Sequence, residues 1–231
     1  MVEWETPEKP AELAEKRLVE AILDGTFPVN TSLPPERELA ERLGVTRPTL
    51  REALQRLSRD GWIEIRHGRA TRVKDYWREG NLLILTAIAR HQDKLPKSFV
   101  PNLLQMRVLL APAYTRMAMQ NSLNEVIHIL ESMQNIEDSA EEFTNYDLEL
   151  HRQLTILSNN PVFTLIFNGF GDLYHTMGFL YFKASQARDH SRSFYKKLLS
   201  AVLSNDAYMA EEVTRRVMED SIELWRLAVS E

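Results

Sequence analysis

The spacing of apolar positions predicts three short helices at the start of the chain. Pro10 begins a run with apolar residues on one helical face, and Gly25 follows its end. A second helix is predicted over residues 36–43 and a third over 47–60, each followed directly by a glycine. The tight glycine-containing turn between the second and third helices is typical of a helix-turn-helix.

A pattern of alternating apolar and polar residues follows the third helix. Residues 62–66 and 70–74 each alternate as a β-strand does, and His67-Gly68 between them predicts a turn. Taken alone, the third helix is better explained as an arginine-rich surface helix. A hairpin directly after a helix-turn-helix is typical of a winged DNA-binding domain, so the order of the elements favours DNA binding.

The charge distribution supports this interpretation. The whole chain has a formal net charge of −5, but residues 37–74 hold ten Lys and Arg against five Asp and Glu. Thr46 can cap the third helix, whose free N–H groups attract phosphate. Arg47 and Arg51 lie one helical turn apart, and each guanidinium can bind guanine O6 and N7. The sequence therefore places a DNA contact at the start of the third helix.

The remainder of the chain predicts a bundle of helices. The 231 residues include only 8 Gly and 10 Pro, which indicates few tight turns and long helices. Beyond the helices near Tyr76, Leu82 and Leu103, further helices fit residues 122–136, 139–158, 162–183, 191–204 and 206–228. We therefore predict a mainly α protein, with an N-terminal winged helix-turn-helix over 1–75 and a C-terminal antiparallel helical bundle over 76–231, of which 76–96 is a linker helix region.

Composition narrows the compartment and the chemistry. The absence of cysteine excludes disulfides and thiolate metal sites and fits a reducing compartment. The N-terminus is acidic and no stretch approaches the ~20 apolar residues of a membrane span, so we expect a cytoplasmic protein. The sequence has no Gly-rich phosphate loop and no G-x-S-x-G motif, so we assign no catalytic residue. An enzyme, or a bundle that serves only protein association, is a minor alternative.

Asp147 and His151 are the candidates for a metal site. They lie four residues apart in one predicted helix, a spacing that lets two ligands face one ion. The positions where further ligands are expected fall near Tyr195 and at 217–219, and none of these is histidine. One Asp and one His rarely suffice for a metal, so a hydrogen-bonded pair in the core is the better explanation.

Two stretches of the basic segment resemble the GntR superfamily of bacterial winged-helix regulators. They are residues 33–40 (LPPERELA) and 44–54 (GVTRPTLREAL), and residues 54–62 with His67-Gly68 resemble its fatty-acid-responsive FadR branch in particular. Pro48 stands where that branch has threonine, which removes one hydroxyl. The resemblance implies that the operator is held by Arg37, Thr46, Arg47, Thr49, Arg51, His67 and Gly68.

The last predicted helix extends the resemblance into the bundle. By spacing alone, Val217, Ser221 and Trp225 would be an ordinary core stripe, but residues 215–225 match the final helix of the FadR branch without a gap. Val217 and Ser230 depart from the branch's tyrosine and lysine. The resemblance implies a site for a long-chain acyl-CoA, and Arg107 matches a position of the branch's ligand domain. On their chemistry, Arg107 suits a coenzyme A phosphate and Met218 suits the apolar lining. The complete set of expected ligand residues is Arg107, Tyr181, Met218, Ser221 and Trp225.

The resemblance also implies how such a protein acts. We expect a homodimer on a palindromic operator, without a cofactor, whose DNA binding is released when a long-chain acyl-CoA enters the bundle. Repression of fatty-acid degradation and activation of fatty-acid synthesis are implied in the same way. The alternative is a regulator of the same superfamily that responds to a small carboxylic acid through a metal at Asp147 and His151.

Overall fold

The computed structural model describes residues 9–66, 68–89, 96, 98–132 and 136–228. These residues form two compact units, one within 1–94 and the other within 95–231. The first unit is a set of short helices with a small hairpin, and the described part of the second consists of helices joined by short non-helical segments. This architecture confirms the predicted fold class.

The first unit follows the predicted order of elements. Its elements are α1 (Pro10–Leu23), α2 (Glu36–Leu43), α3 (Arg47–Asp60), β1 (Ile63–Glu64), β2 (Arg72–Val73), α4 (Tyr76–Glu79) and α5 (Leu82–Ala89). The helices α2 and α3 end at Gly44 and Gly61, whose φ angles of 68° and 98° are in the left-handed region that glycine adopts at low cost. The apolar faces of α1, α2 and α3 bury Leu18, Leu39 and Leu50 in a common core.

The hairpin is shorter than the alternating pattern predicted. β1 and β2 pair antiparallel over two residues each, with Ile63 opposite Val73. The polar segment 30–33 supplies further pairing, because the Asn30 N–H donates to the Val73 carbonyl and the Val73 N–H donates to the Thr31 carbonyl, both at 2.8 Å. This third segment has no alternating apolar pattern, which is why the sequence did not predict its pairing.

The short helices after the hairpin pack with the first unit. The rings of Trp62 and Tyr76 lie 4.9 Å apart, and Lys74 donates to the backbone carbonyl of Glu79 at 2.9 Å. Contacts therefore group residues 76–89 with the winged helix. The domain boundary after residue 75 stays a prediction.

The second unit is built on one long helix. Its elements are α6 (Phe99–Glu131), α7 (Ala140–Leu157), α8 (Pro161–Asn168), α9 (Gly171–Phe182), α10 (Ser185–Leu203) and α11 (Ala207–Ala228). α6 packs along α11 and α7, and α7 also packs on α9. This arrangement surrounds the space between α6, α7, α9 and α11 with inward-facing side chains.

Three helix boundaries differ from the sequence prediction, and the first is the start of α10, which lies at Ser185 and not at residue 191. A break was expected at Asn121, but α6 continues past it with a local kink at Ser122, where φ is −150° and ψ is 51°. The single helix expected over 162–183 is two helices, because Asn168-Gly169 ends α8. Among the described residues, no helix is both long enough and apolar enough to cross a membrane.

Candidate functional site

The N-terminus of α3 is open to an incoming anion. Thr46 caps the helix, since its hydroxyl oxygen accepts from the Thr49 N–H at 3.3 Å and lies 2.8 Å from the Thr49 hydroxyl. Pro48 lacks a backbone N–H, and it lies in the first turn of α3, where N–H groups have no partner within the helix. The remaining N–H groups of this turn and the threonine hydroxyls form a site suited to a phosphate.

Two of the expected base-reading arginines extend from this helix end. The side chains of Arg47 and Arg51 are 57% and 58% exposed, and both lie near the carboxylate of Glu36 on α2. Arg37, the next residue of α2, is also exposed. The structure thus brings Arg37, Thr46, Arg47, Thr49 and Arg51 to neighbouring ends of α2 and α3.

At the turn of the hairpin, Gly68 is exposed and has a φ of 69°. A residue with a side chain rarely adopts this conformation, so glycine is required by the turn itself. His67, the other expected contact at this turn, lies outside the described residues.

Other arginines of the basic segment hold the unit together. Arg72 donates to Asn30 at 2.8 Å and forms ion pairs with Glu64 at 3.1 Å and Glu79 at 2.7 Å. These contacts tie β2 to β1, to the segment before α2 and to α4. The excess of arginine in 37–74 therefore has a structural part as well as a part available to DNA.

The second unit contains a cavity between its helices. It has about 940 Å³ of empty volume, part of which is open to solvent. Four of the expected ligand residues, Arg107, Tyr181, Ser221 and Trp225, line it, whereas the fifth, Met218, is buried but lies outside the lining. The remaining lining residues are mostly apolar: Val100, Leu103, Leu104, Met106, Leu110, Tyr114, Asp147, Phe163, Ile166, Phe167, Phe170, Leu173, Tyr174, Met177, Gly178 and Phe182.

Sequence reasoning did not identify the leucines that α6 contributes to this cavity. Leu103, Leu104 and Leu110 lie four before, three before and three after Arg107, so they share its helix face. The helical spacing around Arg107 is the signal that could have found them.

Arg107 is already paired inside the bundle. Its guanidinium lies 3.4 Å from a carboxylate oxygen of Asp147 and 4.7 Å from the ring centre of Tyr174. A cation with an internal partner contributes less to a coenzyme A phosphate than a free one would. Its assignment to that phosphate stays a prediction.

Asp147 is the centre of a buried polar network. Its carboxylate accepts hydrogen bonds from the hydroxyls of Tyr174 and Tyr195, the latter at 2.8 Å. Burial raises the pKa of this carboxyl, but the imidazole of His151 when it is protonated, the guanidinium of Arg107 and the two hydroxyl hydrogen bonds outweigh burial, so the pKa of Asp147 lies below its usual value. Asp147 is therefore an anion within a mostly apolar bundle.

His151 is next to Asp147 but is not hydrogen-bonded to it, contrary to the expected pair. His151 Nε2 lies 3.8 Å from Asp147 Oδ1, and His151 Nδ1 instead lies 2.8 Å from the Tyr114 hydroxyl. Burial lowers the pKa of His151 to about 4. The ring is neutral at pH 7, so Arg107 and the tyrosine hydroxyls are what hold the carboxylate of Asp147.

This arrangement does not suit a metal ion. Both carboxylate oxygens of Asp147 are occupied by hydroxyl or guanidinium donors, and the guanidinium of Arg107 would repel a cation. Tyr195, where a third ligand was expected, donates to Asp147 instead. Across the described part of the chain, no group of three or more His, Cys, Asp or Glu residues could hold a metal.

Acidification is expected to destabilise the second unit through His151. Its pKa in the folded state, about 4, is below the ordinary 6.5, so the unfolded chain takes up the proton first as the pH falls. The stabilisation that this difference provides at pH 7 is lost as the pH falls from about 6.5 to 4. At pH 5 the free energy of unfolding is lower by about 2 kcal/mol. Urea unfolding at pH 7 and 5 checks this against His151→Gln, whose amide can still pair with Tyr114. An equal pH dependence in both proteins would contradict it.

Ser221 and Tyr181 form the polar part of the opposite wall. The Ser221 hydroxyl donates to the Val217 carbonyl of its own helix at 2.6 Å, and the Tyr181 hydroxyl donates to Ser221 at 3.4 Å. Burial raises the pKa of Tyr181 to about 12, so this hydroxyl remains a donor. With Trp225 one turn further along α11, these residues face the cavity, and the hydroxyls of Ser221 and Tyr181 are hydrogen-bonded within the bundle.

The chain combines two features that define a class of protein. One is a winged helix with exposed arginines at the start of its recognition helix, and the other is a separate helical unit with an apolar cavity. This combination is typical of bacterial transcription regulators whose DNA-binding and ligand-binding domains lie in one chain.

Comparison with known proteins identifies the family within that class. Residues 10–73 match the family described as bacterial regulatory proteins, gntR family, and residues 74–230 match the FadR C-terminal domain. The chain therefore belongs to the FadR family of gntR-type regulators, and it is a transcription regulator and not an enzyme.

Curated relatives agree with this assignment, and a solved structure shares the fold. The fatty acid metabolism regulator protein of Shewanella sp. (strain MR-7) is 45% identical over 192 residues, which are 82% of this chain and 78% of that protein. The protein of the same name from Shewanella denitrificans is 40% identical over 220 residues, 94% of this chain and 91% of that protein. The solved structure of Lar, which controls the Listeria monocytogenes agr system, is similar in fold, with a TM-score of 0.65 at 14% identity over 96% of this chain and 99% of that one.

Proposed function

We propose that this protein regulates genes of fatty-acid metabolism by binding a palindromic operator as a homodimer, and that a long-chain acyl-CoA in the cavity releases it from DNA. The observation that carries the proposal is the apolar cavity of the FadR-type unit, lined by four of the five residues expected to hold the acyl-CoA. The curated relatives that bear the name fatty acid metabolism regulator support the same assignment.

The DNA-binding half of the proposal rests on the ends of α2 and α3. Exposed guanidiniums beside an open helix N-terminus can place one group on a phosphate and another on a base edge. A single recognition helix reads only a few base pairs, so a homodimer with two-fold symmetry would read both halves of a palindrome. The regulator would act in the cytoplasm, where bacterial DNA is found.

The effector half rests on the chemistry of the cavity. A cavity with a mostly apolar lining between the helices of the bundle suits a long hydrocarbon chain, and Met106 and Met177 can adapt to its course. Each buried methylene contributes about 0.8 kcal/mol, so affinity should rise with chain length until the cavity is filled. The ligand lowers DNA affinity only as far as it binds the DNA-free protein more tightly than the DNA-bound protein. This difference in binding free energy is typically ~1–3 kcal/mol.

Calorimetric titration of the purified protein with a long-chain acyl-CoA tests the proposal. Free coenzyme A and citrate are the controls, the first for the nucleotide part and the second for a small carboxylic acid. We expect micromolar or tighter binding of the acyl thioester alone. If no acyl-CoA binds, the proposal of a fatty-acid effector is refuted, while the assignment of the DNA-binding unit stands.

The substitution Arg51→Ala is expected to lower affinity for the operator by about 1–3 kcal/mol, because a guanidinium that reads a base edge contributes about that much. The affinity for DNA of shuffled sequence should fall much less, since only a screened charge is lost. Fluorescence anisotropy with both duplexes measures the two affinities. Arg59→Ala, at the other end of α3, is the matched control. An equal loss on both duplexes would show that Arg51 does not read a base.

A further inference from the structure

One carboxylate lies between the two arginines that extend from the start of α3. Glu36, the first residue of α2, accepts a hydrogen bond from Arg51 Nε at 2.8 Å and lies 3.8 Å from a terminal nitrogen of Arg47. Its own side chain is 37% exposed, less than either arginine. An acidic group at the centre of a DNA-facing surface repels phosphate, so its presence there requires another explanation.

The geometry of the contact leaves Arg51 able to read a base. Glu36 bonds to Nε, and among the described residues neither terminal nitrogen of Arg51 has a hydrogen-bond partner, so both are available to a base edge. A guanidinium binds guanine through two parallel N–H groups, and that fork has to be oriented before contact. An arginine held at Nε therefore loses less conformational freedom when it binds DNA than an unrestrained one.

Glu36 is itself held in place by its position in the fold. It follows Pro35, whose ring fixes the backbone, and it starts a helix, where a negative charge is favoured by the helix dipole. Leu33 and Leu39 on either side of it are buried. The carboxylate is thus fixed to the rigid part of the unit and is suited to orient a flexible side chain.

We propose that Glu36 is a positioning residue for sequence readout: it orients Arg51, and more weakly Arg47, toward the bases and excludes DNA that offers only phosphate. This inference rests on the proposed role of these arginines in operator binding. Glu36 reduces general affinity through charge repulsion and increases discrimination through orientation, so its two effects have opposite signs. Glu38, two residues further on in the same helix, pairs with Arg42 and provides the comparison.

The test compares Glu36→Gln with Glu38→Gln, which remove the same charge from the same helix. The probes are a duplex that the wild-type chain enriches from a randomised pool and a duplex of shuffled sequence, with affinities measured by anisotropy at one fixed salt concentration. Both variants should bind the shuffled duplex slightly more tightly than wild type. Only Glu36→Gln should bind the enriched duplex more weakly, with the ratio of specific to non-specific affinity falling about tenfold.

A double-mutant cycle distinguishes orientation of Arg51 from a general effect on the fold. In an Arg51→Ala background, the loss of specificity from Glu36→Gln should be at most about half of its value in wild type, because its main partner is gone. If Glu36→Gln instead raises affinity for both duplexes as Glu38→Gln does, the positioning role is refuted while operator binding stands. If the wild-type chain enriches no sequence at all, base reading and this role of Glu36 are both refuted.

Discussion

Replacing Asp147 by alanine is expected to lower the free energy of unfolding of the 95–231 unit by about 3–5 kcal/mol. The substitution removes the carboxylate that accepts from Tyr174, Tyr195 and Arg107, three donors enclosed by the bundle. The guanidinium of Arg107 would then lie beside the cavity without its anion, and both hydroxyls would lose their acceptor. The cost comes mainly from these uncompensated groups and less from the side chain that is lost.

Urea unfolding followed by hydrogen exchange of peptides from residues 140–157 measures this effect. Asp147→Asn should cost less than Asp147→Ala, because an amide oxygen can still accept from one tyrosine. Glu149→Ala is the matched control, since Glu149 lies on the same helix but pairs with Arg152 at the surface, and it should change stability by no more than about 0.5 kcal/mol. Equal losses for Asp147→Ala and Glu149→Ala would refute the account of the network.

Local sequence signals predicted the DNA-binding unit well. Gly44 and Gly61 follow α2 and α3 at the predicted residues, because a left-handed residue ends a helix whatever its tertiary surroundings. The pairing of residues 30–33 with β2 was not predicted. Its ladder consists of backbone hydrogen bonds, which leave no trace in side-chain periodicity, and the side-chain contact from Arg72 to Asn30 joins residues 42 apart in the chain.

The bundle shows the limit of the same reasoning. The spacing of Asp147 and His151 correctly placed them on one helix, but His151 is hydrogen-bonded to Tyr114 on α6, and Asp147 accepts from tyrosines on two other helices, among them Tyr195. Those partners are 37 and 48 residues away in the chain, and only packing brings them together. Resemblance to a family found Ser221 and Trp225 at the cavity because it carries information about packing that spacing lacks. Met218 was included on its chemistry alone, and it lies outside the lining.

The second large effect is expected from filling the cavity at Ser221. The substitution Ser221→Phe adds an aromatic ring beside Tyr181 and Trp225, where it extends into the cavity. A ring excludes about four methylenes of an acyl chain, at about 0.8 kcal/mol each, so affinity for a long-chain acyl-CoA should fall by about 3 kcal/mol, on the order of a hundredfold. The shortest acyl chains should lose the least, because they do not need the excluded space. Calorimetry with a series of chain lengths measures both results.

The control variant for this experiment is Ser221→Ala, which removes the hydroxyl but leaves the space open. Because the hydroxyl bonds to Val217 of its own helix, Ser221→Ala should change acyl-CoA affinity by less than about fivefold. In the absence of effector, both variants should bind the operator with wild-type affinity. Release of Ser221→Phe from DNA should need about a hundredfold more acyl-CoA, because the coupling acts only through occupancy of the ligand site. Release of Ser221→Phe at the wild-type acyl-CoA concentration would mean that the effector acts outside this cavity. A loss of affinity in Ser221→Ala as large as in Ser221→Phe would mean that the hydroxyl itself binds the ligand and that space is not what limits the site.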